Sequence, residues 1–515
     1  MTQLTIARSR DLYKTFSLAK VSLLFLCLFA SAFTSCSFFD PSLDLIKERG
    51  DIVLLTKNVP QSYYQYQEKN MGFEYELAHA FADHLGVKLL VETVPRHADL
   101  VPWLLSGKGD FIGAAFMPTK KLRSDIAFSD GYLTVNQKVV VRRHSHIKNI
   151  ETLQQKTVVV PKGSAFEESL IQLRQEKACF TITAVPLREI EDLLCSVSRG
   201  TIEATIADPN MLKIYKRHYT NLHAPFSIGA KQPICWGVRK GSSNLLSEMN
   251  SFLQQARKSG LLDKIYYKYF GYIEPLNPTD IRHFKRTLAK QLPKYITAIK
   301  DEAAQNQMDW RLIVAQIYQE SHFDNHAKSN THVKGLMQFT RDTAKEMGVE
   351  DVWNPNYTIA GGIKYLKKLY NLFDEWDEFD RICVALASYN LGSGHILDAI
   401  KLAKAEGHNP YHWADLEKAV ALLCRRDYYK GTTYGYCRGW EGVRYVRYVL
   451  NYYDILKQQS IEYPDKKLRI FDTFDKDKKI ISNVADQTTP QSLPNSVPSE
   501  TDEAFDSRDG RKESG

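Results

Sequence analysis

The stretch Asp309-Trp310-Arg311-Leu312-Ile313-Val314-Ala315-Gln316-Ile317-Tyr318-Gln319-Glu320-Ser321-His322-Phe323 decides how the second half of the chain folds. Asp309 suits a helix N-cap, where a side-chain oxygen satisfies first-turn N–H groups. Leu312, Gln316 and Glu320 follow at i, i+4 and i+8, flanked by Ile313 and Ile317. Glu320 therefore falls on or beside the apolar face, near the helix end. A carboxyl withdrawn from water is harder to ionise. A carboxylic acid that stays neutral near pH 7 is what protonation of a glycosidic oxygen requires. From the pattern alone, a Glu at the edge of a core is the simpler reading.

Helical periodicity continues outward from this stretch, and almost no alternating strand pattern appears between residues 280 and 458. The spacing predicts helices over 292–306, 310–321, 359–373, 381–389 and 445–456, an all-α arrangement with short polar connections. Upstream of Pro275 and Pro278 the texture changes. Short β-rich runs at 51–57, 88–94, 110–116, 138–142, 157–160 and 204–207 alternate with helical stretches such as 73–85 and 187–197. That alternation predicts an α/β domain with a mainly parallel sheet, and a length of about 230 residues allows two lobes. From about residue 461 the chain is polar and Pro- and Ser-containing; it buries no core and reads as a disordered tail over 461–515.

Downstream of Glu320-Ser321 come Gly335-Leu336-Met337-Gln338, then Ala387-Ser388-Tyr389-Asn390-Leu391-Gly392-Ser393-Gly394, then Glu441-Gly442-Val443-Arg444-Tyr445-Val446. This ordered set resembles the soluble lytic transglycosylase domain. The resemblance implies an all-α, lysozyme-like fold over 276–460 that cleaves peptidoglycan glycan strands. It makes Glu320 the catalytic acid/base and Ser321 an orienting group. Met337 and Gln338 would line the saccharide groove, Tyr389 and Asn390 would hold the sugar at the scissile bond, and Tyr445 would hydrogen-bond near Glu320. Two alternatives stay open on the residues themselves. Tyr445 can be a packing aromatic beside Tyr448, Tyr452 and Tyr453. Gly392 and Gly394 can be a helix stop needing positive φ.

In the first half, Gly72-Phe73-Glu74-Tyr75-Glu76-Leu77-Ala78, Gly107-Lys108-Gly109-Asp110-Phe111, Thr119 with Ile126-Ala127-Phe128-Ser129, Gly163-Ser164 and Ala204-Thr205-Ile206-Ala207-Asp208 occur in order. Together they resemble the bacterial solute-binding proteins of family 3. The resemblance implies a two-lobed, periplasmic-binding-protein-like α/β domain over 36–275. Its hinge would lie near 139–142 and 234–239. Its ligand would be gripped by Asp208, Ser164 and an Arg. The family's Arg lies three residues after the Thr; here Leu122 stands there and Arg123 is one place late, which argues against a free amino acid and leaves a murein peptide as the candidate ligand. Asp208 can equally be a capping residue ahead of Pro209.

The N-terminus carries Arg8, Arg10, Lys14 and Lys20 before an apolar run from Val21 to Phe33. That is the pattern of an export signal, too short for a comfortable membrane span. Phe33-Thr34-Ser35-Cys36 resembles a bacterial lipobox. This implies a signal peptide over 1–35, lipidation of Cys36 and, with Ser37 rather than Asp next, a lipid-anchored protein on the periplasmic face of the outer membrane. An uncleaved N-terminal anchor is the other reading. Of the eight cysteines, Cys179, Cys195 and Cys235 lie in the first half and Cys383, Cys424 and Cys437 in the second. Odd counts leave a thiol in each half unless the halves cross-link, and no Cys/His spacing suggests a metal.

A formal charge of +8 over 515 residues suits stem peptides or anionic lipid, and equally no charged partner. No dense Lys/Arg run marks a nucleic-acid binder. Ordinary glycosidases use two carboxyls, and the motifs supply one. With one, the resemblance implies a non-hydrolytic cleavage that leaves a 1,6-anhydro end and needs no cofactor. A hydrolase of the same fold, using Asp324 or Asp342 to hold water, is the rival enzyme. A tethered glycan-binding protein is the rival outside enzymes.

Overall fold

The computed structural model describes residues 42–176, 180–274, 276–329 and 333–458. Cys36 and the export-signal pattern, Cys179, Pro275 and the polar tail lie outside them. Among the described residues, no helix is long and apolar enough to cross a membrane. Cys195, Cys235, Cys383, Cys424 and Cys437 are all free thiols.

The first half is an α/β domain of two lobes. One lobe holds a five-stranded sheet in the order Lys88–Thr93, Asp51–Thr56, Phe111–Ile112, Gly237–Arg239, Ile126–Phe128. The other is built on the long strand Leu133–Arg142. Leu222–His223, Ala204–Ala207 and Ser227–Ile234 pair with it antiparallel, and Thr157–Pro161 and Thr181–Val185 extend the sheet in parallel. Both sheets are thus mixed, where the strand–helix alternation predicts mainly parallel pairing. The reason is the double crossing between lobes. Each time the chain crosses and returns, it lays a strand antiparallel to its neighbour.

One crossing lies where predicted, within 234–239; the other does not. Residues 139–141 are fully buried and pair with Ala204–Ala207 inside the second sheet. The chain passes between lobes at 129–132 and 234–236. There Tyr132 N donates to Ile234 O at 3.0 Å and Ser129 N to Trp236 O at 2.9 Å. Trp236 is fully buried against Phe81, Phe111, Tyr132 and Phe252, with ring centroids 5.3–6.2 Å apart. An aromatic cluster of this kind contributes more than its buried area alone.

From Pro278 onward the described residues form helices with no named strand. The helix Trp310–Ser321 is capped by Asp309, whose side chain accepts from Arg311 N. Seven consecutive residues, Leu312 to Tyr318, are buried, so this helix runs through the core. The 20-residue helix Gly439–Gln458 packs across it. Two glycines allow this. A Cβ at Gly439 would lie 1.7 Å from Val420 O, and one at Gly442 would lie 2.4 Å from Leu391 Cδ1. The helix start is thereby pressed onto the backbone of Trp413–Leu422 and the end of Glu378–Leu391.

The same long helix joins the two halves. Arg217 follows the helix Pro209–Lys216 in the α/β part, and its guanidinium donates to Asp454 Oδ2 at 2.7 Å and Asn451 Oδ1 at 3.1 Å. Tyr272 also hydrogen-bonds Asp454, and Tyr66 and Tyr453 both reach Asp309. Burial opposes the Asp454 charge; Lys457 and Arg217 outweigh it and hold its carboxyl at about 2.

Candidate functional site

Glu320 occupies the last turn of its helix. The chain then stops helical winding through two successive non-glycine residues in left-handed conformation, His322 at φ 52° and Phe323 at φ 61°. Such positions cost backbone strain and occur where the surroundings enforce them. Here Phe323 is held by deep burial, 2% exposed. The turn exposes the helix end while its body stays in the core. Glu320 itself is half-buried.

The Tyr445 hydroxyl donates to Glu320 Oε1 at 2.6 Å from the facing long helix. Burial pushes the Glu320 carboxyl up to about 8, and the Tyr445 hydrogen bond opposes that rise. Among the described residues, no second carboxylate contributes to the shift. Asp324 is exposed and turned to its own loop, accepting from His326 N at 2.9 Å; Asp342 is exposed on a short helix. Tyr389 completes the group. Its phenol is kept protonated by burial and then by the charge of Glu320, and it donates to Met337 O at 2.9 Å. Gln316, one turn before Glu320, is wholly buried. Its amide lies against the Tyr445 hydroxyl without meeting full hydrogen-bond geometry.

The other expected residues divide. Asn390 is exposed beside Tyr389. Gln338 is half-buried at φ 51°, and its amide donates to Gly335 O and Ala327 O, at 2.7 and 3.2 Å, so it braces the loop that carries it. Met337 does not line a groove with its side chain. It is fully buried against the helix carrying Gly362, where a Cβ would lie 2.5 Å from Met337 Cε, and it presents its carbonyl to Tyr389. Ser321 Oγ bonds back to Ile317 O at 3.3 Å, so it shapes the helix end rather than touching Glu320. Tyr445 both packs and hydrogen-bonds. Gly392, at φ 91° with open space around it, is a helix stop; Gly394 instead makes room for the Tyr434 ring, 2.6 Å from where its Cβ would be.

Motif reading missed that ring. Tyr434 and Tyr436, on the segment leading into the Tyr445 helix, and Trp440, in its first turn, are each about half exposed, at 57%, 54% and 49%. The signal was the aromatic run Tyr428-Tyr429 to Tyr434-Gly-Tyr436. Exposed rings of this size in one segment are binding surface more often than packing.

In the α/β part the expected ligand set is not brought together. Asp208 Oδ1 accepts from Asn210 N and Met211 N, at 2.9 and 3.0 Å, capping the helix after Pro209. Ser164 Oγ donates to Pro161 O at 2.7 Å, and the nearby Gly163 N–H is taken by Glu167 at 2.6 Å. Arg123 is exposed and lies over Phe128, while Leu122 packs into the apolar core of its lobe. Across the cleft the two lobes meet instead through Lys57. Its Nζ stands 2.5 Å from Glu189 Oε2 and 3.6 Å from Glu191 Oε2, and Gln61 donates to Glu191 Oε1 at 3.3 Å. Burial works against the Lys57 charge; Glu191 and Glu189 more than offset it.

Comparison with known proteins agrees with both halves. Residues 52–272 match the bacterial extracellular solute-binding proteins, family 3, and residues 297–412 the transglycosylase SLT domain. A membrane-bound lytic murein transglycosylase F of Desulfosudis oleivorans is 40% identical over 421 residues, 81% of this chain and 92% of the relative. The chain belongs to the membrane-bound lytic murein transglycosylase F family. Another such transglycosylase F, from Pseudomonas fluorescens, is 38% identical over 419 residues, 81% of this chain and 86% of its own. Among solved structures, a mutant of ArgBP from T. maritima aligns with 45% of this chain and 99% of its own, at 26% identity and a TM-score of 0.40. The α/β domain is the part that matches the solute-binding proteins, and the Glu320 cluster lies in the helical part that includes the SLT match.

Proposed function

We propose that this chain cleaves the β-1,4 bond between MurNAc and GlcNAc in peptidoglycan without water, with Glu320 as the only acid/base. The observation that carries this is the Glu320 carboxyl, raised to about 8 and held by Tyr445 at 2.6 Å, with no second carboxylate acting on it. Neutral Glu320 gives its proton to the glycosidic oxygen as the bond to MurNAc C1 breaks. The substrate's own N-acetyl group stabilises the cation that develops. The Glu320 carboxylate then takes the proton of the C6 hydroxyl, and O6 closes on C1. The products are a GlcNAc hydroxyl end and a 1,6-anhydroMurNAc end, and Glu320 returns to its acid form. Tyr389, Asn390, Gln338 and the exposed Tyr434 and Trp440 would hold the sugars, with Ser321 and the Met337 carbonyl fixing the frame around them.

The test is digestion of purified sacculi by the protein and by Glu320→Gln, with products read by mass spectrometry. Anhydro-muropeptides, about one water lighter than hydrolytic products and absent with the variant, are expected. Reducing ends would sink the single-carboxyl mechanism. In the same reading, residues 36–275 form the ligand-responsive module and 276–460 the catalytic one. Ligand binding there alters cleavage only insofar as its affinity differs between two arrangements of the module. The ligand, a murein peptide, would meet the Lys57–Glu189–Glu191 bridge rather than Asp208, Ser164 and Arg123. Cys36 is the lipid attachment point on the outer membrane, a reading supported by the lipobox-like sequence. Labelling with an alkyne fatty acid should be lost in Cys36→Ala.

A further inference from the structure

Away from Glu320, a cavity of about 900 Å³ opens between the second lobe of the solute-binding module and the first helix of the helical part. Its walls carry Arg142, Arg143, His144, His146, Lys156 and Arg282. Lys156 is engaged with Glu203 at 2.9 Å. The three arginines are exposed and form no ion pair or side-chain hydrogen bond among the described residues. The other wall carboxylate, Asp280, lies in the first turn of the helix that carries Arg282 and forms no ion pair with the three arginines among the described residues.

The arginines are placed by the fold. Arg142 ends the long central strand, and its guanidinium lies over Gly200, where a Cβ would come within 2.6 Å of it. Arg143 is fixed by its backbone N–H, which donates to Asn221 O at 2.7 Å. Arg282 projects from the 14-residue helix Pro278–Gln291, whose uncapped N-terminus forms part of the same wall. A helix start adds partial positive charge and free N–H groups. Guanidinium groups match the oxygens of phosphate in pairs of parallel hydrogen bonds. Arg142, Arg143, Arg282 and Lys156 outnumber the wall carboxylates Glu203 and Asp280, so an oxyanion of more than one charge is the natural occupant.

We propose that this cavity binds a phosphate-bearing ligand larger than free phosphate, and that the bound anion ties the solute-binding module to the helical part. The source is either a lipid headgroup or a soluble phosphoryl compound; the recognised group is the same.

The experiment uses the full chain in detergent, its Arg142→Ser/Arg282→Ser variant and, as a control, Lys88→Ser on the far lobe. Pyrophosphate at ten times its Kd should raise the thermal midpoint by roughly 2–4 °C over sodium chloride of equal ionic strength. The arginine variant should bind at least tenfold more weakly, the control should bind like the parent, and sacculus cleavage should be unchanged in both. Arginine-dependent binding to phosphatidylglycerol vesicles, not to phosphatidylcholine, without a response to pyrophosphate would assign the group to a headgroup. A response to pyrophosphate with no vesicle binding would assign it to a soluble compound. Equal responses of parent and arginine variant to both probes would overturn the proposal.

Discussion

At the scale of single residues, Glu320 gives the protein two pH dependences, one of activity and one of stability. As the proton donor it works in its neutral form, so kcat/KM should hold below pH about 8 and fall as the carboxyl ionises above it. The Tyr445 hydrogen bond favours the charged form. Tyr445→Phe should therefore move the alkaline limb to higher pH, and lower the plateau about 10- to 100-fold by removing a hydrogen bond to a charged group. A pH–rate profile of both proteins checks this; an unmoved limb would detach Tyr445 from Glu320. For stability the sign is the same, but the window lies lower. A carboxyl whose folded value, about 8, lies above its ordinary 4.5 leaves the fold fully stable below pH 4.5 and weakens it as pH rises towards 8. Glu320→Gln lacks that loss. It should be inactive at every pH yet unfold at a higher temperature than the parent at pH 9, measured by thermal denaturation.

At the scale of elements, the Glu320 helix was legible because its signals are local. Asp309 caps it, the apolar residues follow a 3.6 period, and the observed bounds Trp310–Ser321 coincide with the predicted ones. Met337 was not legible. Its groove-lining role came from the resemblance, and whether Met337 faces the groove or the core is decided by its packing against the helix carrying Gly362, which leaves no local mark in Gly-Leu-Met-Gln. The first of the two hinge crossings was misplaced for a related reason, while the second fell within the predicted 234–239. Residues 138–142 read as a strand, and nothing local tells an interior strand from a crossing one. The Lys57–Glu189 bridge joins residues 132 apart in sequence and leaves no local mark at all. Gly392 was legible as a helix stop at positive φ, but the close approaches at Gly394 and Gly439 were not. Gly439 is required by the Val420 carbonyl 1.7 Å from where its Cβ would be. Gly439→Ala should cost about 1–3 kcal/mol as the start of the long helix is pushed off its neighbour. Because Tyr445 lies in the second turn of that helix, the variant should also lose activity at temperatures where circular dichroism still shows it folded. Full activity there would mean that Tyr445 is placed from the other end of the helix.

At the scale of the whole molecule, one helix serves both halves. Tyr445 near its start touches the acid, and Asn451 and Asp454, two to three turns later, are gripped by Arg217 of the solute-binding module. The helix that precedes Arg217 is capped by Asp208 in the second lobe. A rigid path thus runs from that lobe through Arg217 to the Tyr445 helix, and it is polar and buried where it crosses between modules. Arg217 and Asp454 are 4% and 8% exposed. Removing one partner of a buried pair costs about 3–5 kcal/mol when the other charge is left alone. Here Lys457, 2.7 Å from Asp454, keeps part of the compensation, so the loss in Arg217→Ala is smaller and falls on the contact between modules. Arg217→Ala should therefore split the thermal unfolding of the protein into two transitions, as the modules come apart before either melts. Arg217→Met/Asp454→Leu should restore much of the cooperativity. Since the Asp454 carboxyl is held at about 2 against an ordinary 3.8, its contribution is present above pH 3.8 and disappears as pH falls towards 2. The parent should accordingly show the same split in calorimetry on acidification through that window. The double variant, with no carboxylate to protonate there, should not develop one. A parent that melts in one step down to pH 2 would show that the apolar and aromatic contacts at the junction hold the modules together without this ion pair.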